Sequence, residues 1–322
     1  MISTLFTEIT TYGLLPLVII CLVLLIERWI PWHEKYHPLT LFRLIAINLG
    51  KRVNPNKPRS DLQRRISGSL ATMILLFPAL AIIAFIVFIA QFPLFFDGFL
   101  LLIAMQYRPI LIQFKRVQVA LKLEKKSLAR QFLSNIVLRE TNRLSPIGIG
   151  KAAIESLLLR FFYQQFAIIL WYLAGGGLAA ITVRLLYELQ QCWNTKYSDN
   201  IHFGAPIALL CRLVYLLPFW AFTFIFCLGS GFIGAIKAYR QRPPQFASYY
   251  LLKLIVAGSL GMQLGGPVYY QGEKKRLPKV GTNREVRFED MRRAKTAVEH
   301  TLLVLIVAIL LLTILVSQIS LN

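Results

Sequence analysis

The chain has 322 residues, of which 56% are hydrophobic, and it carries a formal net charge of +21 at pH 7. This hydrophobic fraction, with a mean hydropathy of +0.58, is well above that of soluble globular domains. The composition therefore predicts an all-α integral membrane protein, a polytopic helical bundle, and argues against a soluble domain.

Six apolar runs predict six transmembrane segments within one membrane domain that covers residues 1–322. In chain order, these runs are 14–30, 70–92, 99–112, 161–186, 207–233 and 302–316. The last run is the clearest, because the insertion preferences of its Leu, Ile and Val residues sum to roughly −4 to −8 kcal/mol. The third run is the weakest, since it is short and contains Arg108. Glycines 175–177 interrupt the fourth run, which favours a broken or re-entrant helix lining a cavity.

The positive charge is concentrated in three intervals between the apolar runs. Of the 36 Lys and Arg residues, 8 lie in 31–68, 10 in 114–160 and 13 in 234–297. The positive-inside rule places these intervals in the cytoplasm and both termini outside, as in a multi-pass protein of the inner (plasma) membrane. Anionic membrane lipid explains the basic loops. A nucleic-acid partner is not expected, because no RNA- or DNA-binding motif accompanies the lysines.

The first apolar run, the cysteines and the histidines predict no cleavage, disulfide or metal site. The first apolar run lacks a basic n-region and an Ala-x-Ala cleavage site, so it is interpreted as the first span and not as a signal peptide. The four cysteines have no CxxC spacing and the four histidines are scattered, so we predict neither a disulfide framework nor a metal site.

Residues 115–138 are amphipathic, with apolar residues at helical spacing and lysines on other faces. The pattern predicts one helix, which either lies on the bundle or membrane surface or covers an anionic substrate such as a phosphate. Both interpretations remain open.

Ser145 followed by Pro146 has the form of a helix start, with a capping hydroxyl and proline at the first position. Glu155 then falls inside a membrane-proximal helix. An acidic residue there either pairs with Lys151, four residues earlier, or is kept for function.

Residues 260–273 are the most informative stretch of the sequence. They read Leu-Gly-Met-Gln-Leu-Gly-Gly-Pro-Val-Tyr-Tyr-Gln-Gly-Glu. Four glycines in fourteen residues predict sharp turns or the close approach of another group. The Gly-Gly-Pro step either is an ordinary loop or presents backbone N–H groups to an anion or a flat ligand.

This stretch, followed by Pro278 and Gly281, resembles the C-terminal motif of the CobD/CbiB family, the adenosylcobinamide-phosphate synthases of cobalamin biosynthesis. Upstream, the six residues from Arg139 to Leu144 resemble the family's Arg-Asp-Thr-Ser-x-Leu, and residues 152–156 fall on its Ala-x-x-Glu-Thr. Gly175-Gly176 matches a family Gly-Gly. The resemblance is faint over 30–50, in register over 139–220 and good over 257–310.

The resemblance implies an enzyme that joins aminopropanol phosphate to a corrinoid intermediate, adenosylcobyric acid, with ATP and Mg²⁺ as expected cofactors. It implies catalytic roles for Glu140 and Glu155. The residues it implies for substrate binding are Arg139, Lys196, Gln263, Gly265, Gly266, Pro267, Tyr270, Gly272 and Glu273.

Several acidic positions of the family are nevertheless lost. Neutral, apolar or basic residues occupy them within 159–161, 163–164, 187–192 and 209–212. Because Mg²⁺ depends on carboxylate oxygens, we expect weak magnesium binding, with Glu188 able to replace one acid at most. The lost acids favour a second function, a non-catalytic signalling or sensing protein resembling AmpE, a relative associated with β-lactamase induction. The retained glycine motif favours the synthase.

Overall fold

The computed structural model describes residues 14–29, 32, 36–55, 59–241 and 250–321, with side chains as far as 316. Helices dominate these ranges, and four short strands lie near the C-terminal end. The predicted all-α membrane class is confirmed. The strands were not predicted, and they occupy the glycine motif.

The helices and strands are, in chain order, α1 (Leu15–Trp29), α2 (Pro38–Val53), α3 (Asp61–Phe88), α4 (Pro93–Ala104), α5 (Arg108–Lys122), α6 (Lys126–Ser134), α7 (Pro146–Phe161), α8 (Ala167–Cys192), α9 (Ala205–Val214), α10 (Leu216–Ser230), α11 (Phe232–Arg240), α12 (Leu251–Ser259), β1 (Gln263–Leu264), β2 (Pro267–Tyr270), β3 (Glu273–Arg276), β4 (Val280–Gly281) and α13 (Phe288–Leu321). A π-helical segment, Phe162–Phe166, joins α7 to α8.

Four helical stretches within the described ranges are long and apolar enough to cross a membrane. They are Asp61–Phe88, Pro93–Lys122, Pro146–Cys192 and Phe288–Val316. A fifth span exists if α9 and α10, which bend by 53° where they meet, are taken together. The predicted count of six is therefore not confirmed. Among the described residues, the first run contributes only the 15 residues of α1, which rise about 22 Å against a hydrocarbon core of about 30 Å.

Local sequence explains where the helices begin. Ser145 Oγ accepts a hydrogen bond from the N–H of Gly148 at 3.1 Å, and Pro146 is the first residue of α7, as predicted. Ser60 caps α3 in the same way, through the N–H of Gln63 at 3.2 Å.

The prediction of one continuous helix over 115–138 is wrong. The segment contains the end of α5 and all of α6, separated by residues 123–125. Glu124 has a positive φ of 55°, which no α-helical residue adopts, so the chain turns there. Of the expected apolar face, Val117 and Ile136 are buried, and Leu121, Leu128 and Phe132 are half-buried.

The described chain divides into two compact units. Unit 1 comprises the described residues within 107–162 and 219–321, and unit 2 comprises those within 15–106 and 163–218. In unit 1, α7 packs against α5, α6 and α13, while α12 packs against α11, β1 and β4. In unit 2, α8 is central and contacts α2, α3, α4 and α9. That the chain forms one functional membrane domain, with its three basic intervals in the cytoplasm, stays a prediction.

Helix α8 is interrupted at the predicted glycines. Gly175 and Gly176 have non-helical backbone angles, with φ of +65° at Gly176. The Asp97 carboxylate, from α4, accepts the Tyr172 hydroxyl at 2.6 Å before the break and the Gly177 N–H at 2.5 Å after it. The prediction of a broken helix is confirmed, and re-entrance stays a prediction.

Candidate functional site

The glycine motif of unit 1 folds into two small antiparallel strand pairs. Strand β1 pairs with β4, and β2 pairs with β3 through a two-residue turn at Gln271 and Gly272. Both turn residues have positive φ, 50° and 81°, as a type I′ hairpin turn requires. Gly265 and Gly266 join β1 to β2 with φ of 80° and 111°, angles that favour glycine.

Glu155 lies at the centre of the site and is 3% exposed. Its Oε2 accepts hydrogen bonds from the guanidinium of Arg139 and from Lys253 Nζ, the latter at 3.0 Å. Its Oε1 accepts the backbone N–H of Gly265 at 2.8 Å. One carboxylate on α7 thus holds together the segment before α7, helix α12 and the glycine motif.

Glu155 does not pair with Lys151, which was one of the two alternatives that the sequence left open. Lys151 Nζ instead lies 3.4 Å from the amide oxygen of Gln263 in β1. A lysine placed four residues before a glutamate is the less favourable order on a helix, and stronger donors already engage both oxygens of Glu155.

Glu140 fastens the β2–β3 hairpin to the segment before α7. Its Oε1 accepts the N–H of Gly272 at 2.6 Å, and its own N–H donates to the Tyr269 carbonyl at 2.9 Å. The guanidinium of Arg143 lies 5.0 Å from the centre of the Tyr269 ring. The predicted catalytic carboxylate of Glu140 therefore supports the turn in this structure.

The structure brings most of the predicted site residues together in unit 1. Tyr270 is buried in β2, while Pro267 and Glu273 are exposed. Gly266 is buried, yet a Cβ placed on it would meet no atom within 4 Å, so open space adjoins its backbone. Lys196 is the exception, because it belongs to unit 2, where its N–H donates to Asn194 Oδ1 at 3.0 Å.

Lys253 is a partner of Glu155 that the sequence analysis missed. It is 8% exposed in α12, whose sequence is Leu-Leu-Lys-Leu-Ile-Val-Ala-Gly-Ser. A signal was present, because a single lysine inside an apolar helix is costly unless an acid or a ligand partners it.

Glu188, the acid expected to replace a lost one, is bound by two arginines in unit 2. Its Oε1 accepts from Arg43 Nη2 at 3.0 Å and lies 2.7 Å from Arg184 Nη2, and its Oε2 accepts from Arg43 Nε. Tyr163 and Tyr187, at two positions where the resemblance expects polar or acidic groups, stack at 5.4 Å.

These carboxylates do not fit a magnesium site. Both oxygens of Glu155 accept N–H donors, and both oxygens of Glu188 face guanidinium groups. Across the parts of the chain that the structure describes, no group of three or more His, Cys, Asp or Glu side chains is arranged to hold a metal ion. No reaction step through Mg²⁺ follows from this geometry.

Comparison with known proteins matches residues 20–298 to the family model described as CobD/Cbib protein. The "Cobalamin biosynthesis protein CobD" of Chromobacterium violaceum is 28% identical over 281 residues, which cover 85% of this chain and 89% of that protein. Proteins of the same name from Stutzerimonas stutzeri and Streptococcus sanguinis are 28% and 30% identical, over 48% and 52% of this chain. The matched regions cover 51% and 55% of those two proteins, about half their length. No solved structure matches the chain.

Proposed function

The chain belongs to the CobD/CbiB family, and from that premise we propose that it is a cobalamin-biosynthesis protein of the inner membrane with adenosylcobinamide-phosphate synthase function. In that role it attaches aminopropanol phosphate to adenosylcobyric acid through an amide bond. Its turnover is weak, because several acidic positions of the family are replaced.

The observation that carries this proposal is the set of contacts to Glu155. Arg139, Lys253 and the Gly265 N–H converge on one buried carboxylate. Two segments that resemble the family, 139–155 and 263–273, are thereby held together, and open space adjoins the backbone of Gly266 in the second segment. Because Glu155 connects these two family-like segments, its contacts support the proposal that the chain keeps the substrate site of the family.

The residues of the site bind and orient the substrates in this proposal. Arg139 and Lys253 supply positive charge for anionic groups, and Glu155 fixes the positions of both side chains. Gly266 leaves room for the flat corrinoid or its side chain to approach the backbone. ATP, when bound, supplies the activation that makes amide formation from a carboxylic acid favourable.

The proposal is tested with the purified full chain, adenosylcobyric acid, aminopropanol phosphate, ATP and Mg²⁺. We expect a corrinoid-dependent change in the absorption spectrum or thermal stability, together with slow formation of the amide product. Rapid turnover would show that the replaced acidic residues are not needed for catalysis. Complementation of a synthase-deficient strain growing on cobyric acid checks the same function in cells.

The second candidate is a non-catalytic signalling or sensing protein that resembles AmpE. The pairing of Glu188 with Arg43 and Arg184 favours it, because the acid that could replace a lost ligand is already neutralised. Absence of both turnover and corrinoid binding in the same assay would support this candidate over the synthase.

A further inference from the structure

Helix α8 folds back on itself at its glycine break. Tyr163, in the π-helical segment that leads into α8, stacks on Tyr187 near the end of α8, with the ring centres 5.4 Å apart. The two tyrosines are 24 positions apart in the sequence, which in a straight helix is about 36 Å. Their rings can stack only if the helix reverses its direction, and the break at Gly175 and Gly176 lies midway between them.

The end of α9 shows the same pairing of the two arms of this hairpin, residues 163–174 and 177–192. Trp171 Nε1 donates to the Val214 carbonyl at 3.1 Å, and the Tyr215 hydroxyl donates to the Val183 carbonyl at 3.3 Å. Because Val214 and Tyr215 are consecutive, one residue of each arm approaches the same point of the chain. Positions 171 and 183 are equally distant from Gly177, so the arms pair in register about the break.

The connection that follows the second arm, residues 193–204, packs along residues 46–68 of the same unit. The contacts are Trp193 Nε1 with the Ala46 carbonyl at 3.0 Å, Asn54 Nδ2 with the Asp199 carbonyl at 2.9 Å, and His202 Nε2 with Asp61 Oδ1 at 3.2 Å. The backbones also touch, since a Cβ placed on Gly68 would lie 2.0 Å from the Phe203 carbonyl oxygen. The two segments therefore lie at the same depth in the membrane.

These contacts decide on which side of the membrane the connection lies. Residues 31–68 contain eight Lys and Arg and are cytoplasmic by the positive-inside rule. Residues 187–206 contain one, Lys196, so the charge count with six spans places them outside. Hydrogen bonds of 2.9 and 3.0 Å cannot join segments on opposite sides of a hydrocarbon core of about 30 Å. The contacts outweigh the charge of a connection with a single lysine.

The closed end of the hairpin agrees with this placement. Asp97, which bridges Tyr172 and Gly177 across the break, belongs to residues 93–98. That stretch has no Lys or Arg, and the charge distribution places it outside. The second arm has 16 residues and rises about 24 Å, so it covers most of the distance between the two sides.

We propose that the α8 hairpin returns the chain to the cytoplasmic side, where residues 193–204 and 46–68 form one surface of unit 2. Lys196 then lies in the compartment that holds ATP and phosphorylated compounds, although the resemblance alone does not say from which side it is reached. Only this consequence for Lys196 rests on the proposed function. The path of the chain does not.

The first test is a cross-link in the full chain. Asn54 Nδ2 lies 3.4 Å from Asn200 Oδ1, so the double variant Asn54→Cys/Asn200→Cys should join under an oxidant or a short thiol cross-linker. Cleavage at a protease site inserted between the exposed Lys125 and Lys126 leaves two fragments, which stay together on a gel only when the link has formed. We expect at least tenfold more linked product than in the two single variants, which measure links to native cysteines. Asn54→Cys/Gln91→Cys is the matched control, because Gln91 lies beyond the far end of α3.

The second test labels exposed single cysteines with a membrane-impermeant thiol reagent in intact cells and in inverted membrane vesicles. Thr195→Cys should react in inverted vesicles, at least tenfold above the wild-type background, as Lys51→Cys does. Gln91→Cys should react in intact cells instead. Helical content and gel-filtration behaviour show whether each variant is folded.

A folded Asn54→Cys/Asn200→Cys protein that does not link overturns the proposal. Reaction of Thr195→Cys in intact cells, or its failure to react in inverted vesicles, overturns the cytoplasmic location. Neither test depends on catalysis. The expected links and labelling in a protein without turnover keep the hairpin and remove the synthase, whereas turnover with Thr195→Cys labelled from outside does the reverse.

Discussion

Glu155 shows how this chain keeps a negative charge inside a membrane helix. Its carboxylate has two cationic partners and one backbone N–H, and together they occupy both oxygens. An ionised carboxylate in such a place would otherwise cost several kcal/mol. The stability of unit 1 therefore depends on this residue more than on any exposed acid.

Replacing Glu155 by glutamine should lower the free energy of unfolding by about 3–5 kcal/mol, because Arg139 and Lys253 then remain buried without a counter-charge. Thermal unfolding in detergent, monitored by circular dichroism, checks this. Glu273→Gln is the control, since Glu273 is exposed in β3 and should change stability by less than about 0.5 kcal/mol.

The double variant Glu155→Gln/Lys253→Met separates charge from packing. Removing the lysine should recover part of the loss, since one unmatched charge disappears with it. A double variant less stable than Glu155→Gln alone would contradict this account of the pair.

His37 gives unit 2 a dependence on pH. It precedes α2, outside the candidate spans, and its Nδ1 accepts the Leu39 N–H at 3.3 Å. Burial, with help from the positive charges of Arg184 and Arg43, lowers its pKa from 6.5 to about 4, and Glu188 only partly opposes this. The folded state thus holds neutral histidine at a pH where the unfolded chain takes up a proton.

The contribution of neutral His37 to the free energy of unfolding is complete above pH 6.5, and it is lost as the pH falls towards 4. We expect the wild type to lose about 2–3 kcal/mol of unfolding free energy between pH 7 and pH 4.5 through this group. His37→Asn keeps a capping oxygen but does not titrate, so its stability should fall less over the same range. Parallel pH profiles for the two proteins would refute the assignment.

At the residue level, the sequence predicted that Glu155 needs a partner or a function, because an acid in an apolar helix is costly. It did not predict the partners. Lys253 and Gly265 lie 98 and 110 residues further along the chain, and only the folded structure brings them near. Helical spacing, the one signal that a single sequence offers, pointed to Lys151 instead.

At the scale of the elements, the carboxylate of Asp97 in α4 stabilises the break in α8. Asp97 bridges Tyr172 and Gly177 on the two sides of the break. A helix start inside a membrane needs acceptors for its free N–H groups, and Asp97 supplies one. Glycine is required at 177 for space, since a Cβ there would lie 2.5 Å from the Asp97 carbonyl oxygen.

Gly177→Ala should therefore destabilise the protein by about 1–3 kcal/mol, because α4 and α8 must move apart. Gly229→Ala is the matched control. Its Cβ would meet only the His300 Cβ, at 4.0 Å, so this change should be neutral or stabilise by up to about 1 kcal/mol. The measurement is the thermal unfolding midpoint of each variant in the same detergent, which should be lower for Gly177→Ala than for Gly229→Ala. Equal midpoints would mean that α4 approaches α8 less closely than described.

The element pattern was predictable where a local signal was strong. Ser145-Pro146 marked the start of α7 correctly, and glycines 175–177 marked the break in α8. The strands of the glycine motif were not predictable from alternation, because β1 and β4 have two residues each and β2 contains only four. Their pairing depends on contacts between distant parts of the motif.

For the whole molecule, the number of membrane crossings decides which loops lie in the cytoplasm. The charge distribution predicts that reporter fusions after residues 68, 138 and 293 are cytoplasmic, and that fusions after 97 and 200 are outside. Paired phosphatase and fluorescent-protein fusions measure this. A cytoplasmic signal at 200 would contradict six spans and favour a re-entrant segment at the break in α8.

The long separation between Glu155 and its partners sets an order on biosynthesis. Arg139 emerges 16 residues before Glu155, whereas Lys253 and Gly265 follow it by 98 and 110. A ribosome adds about 5–20 residues per second, so the carboxylate waits roughly 5–20 s for them. When a protease is added, nascent chains arrested at residue 245 should be cleaved around α7 faster than nascent chains arrested at residue 310. Equal cleavage rates would show that Lys253 and Gly265 do not protect α7. A premature stop codon before Gly265 therefore damages a helix that the ribosome completed long before reaching it.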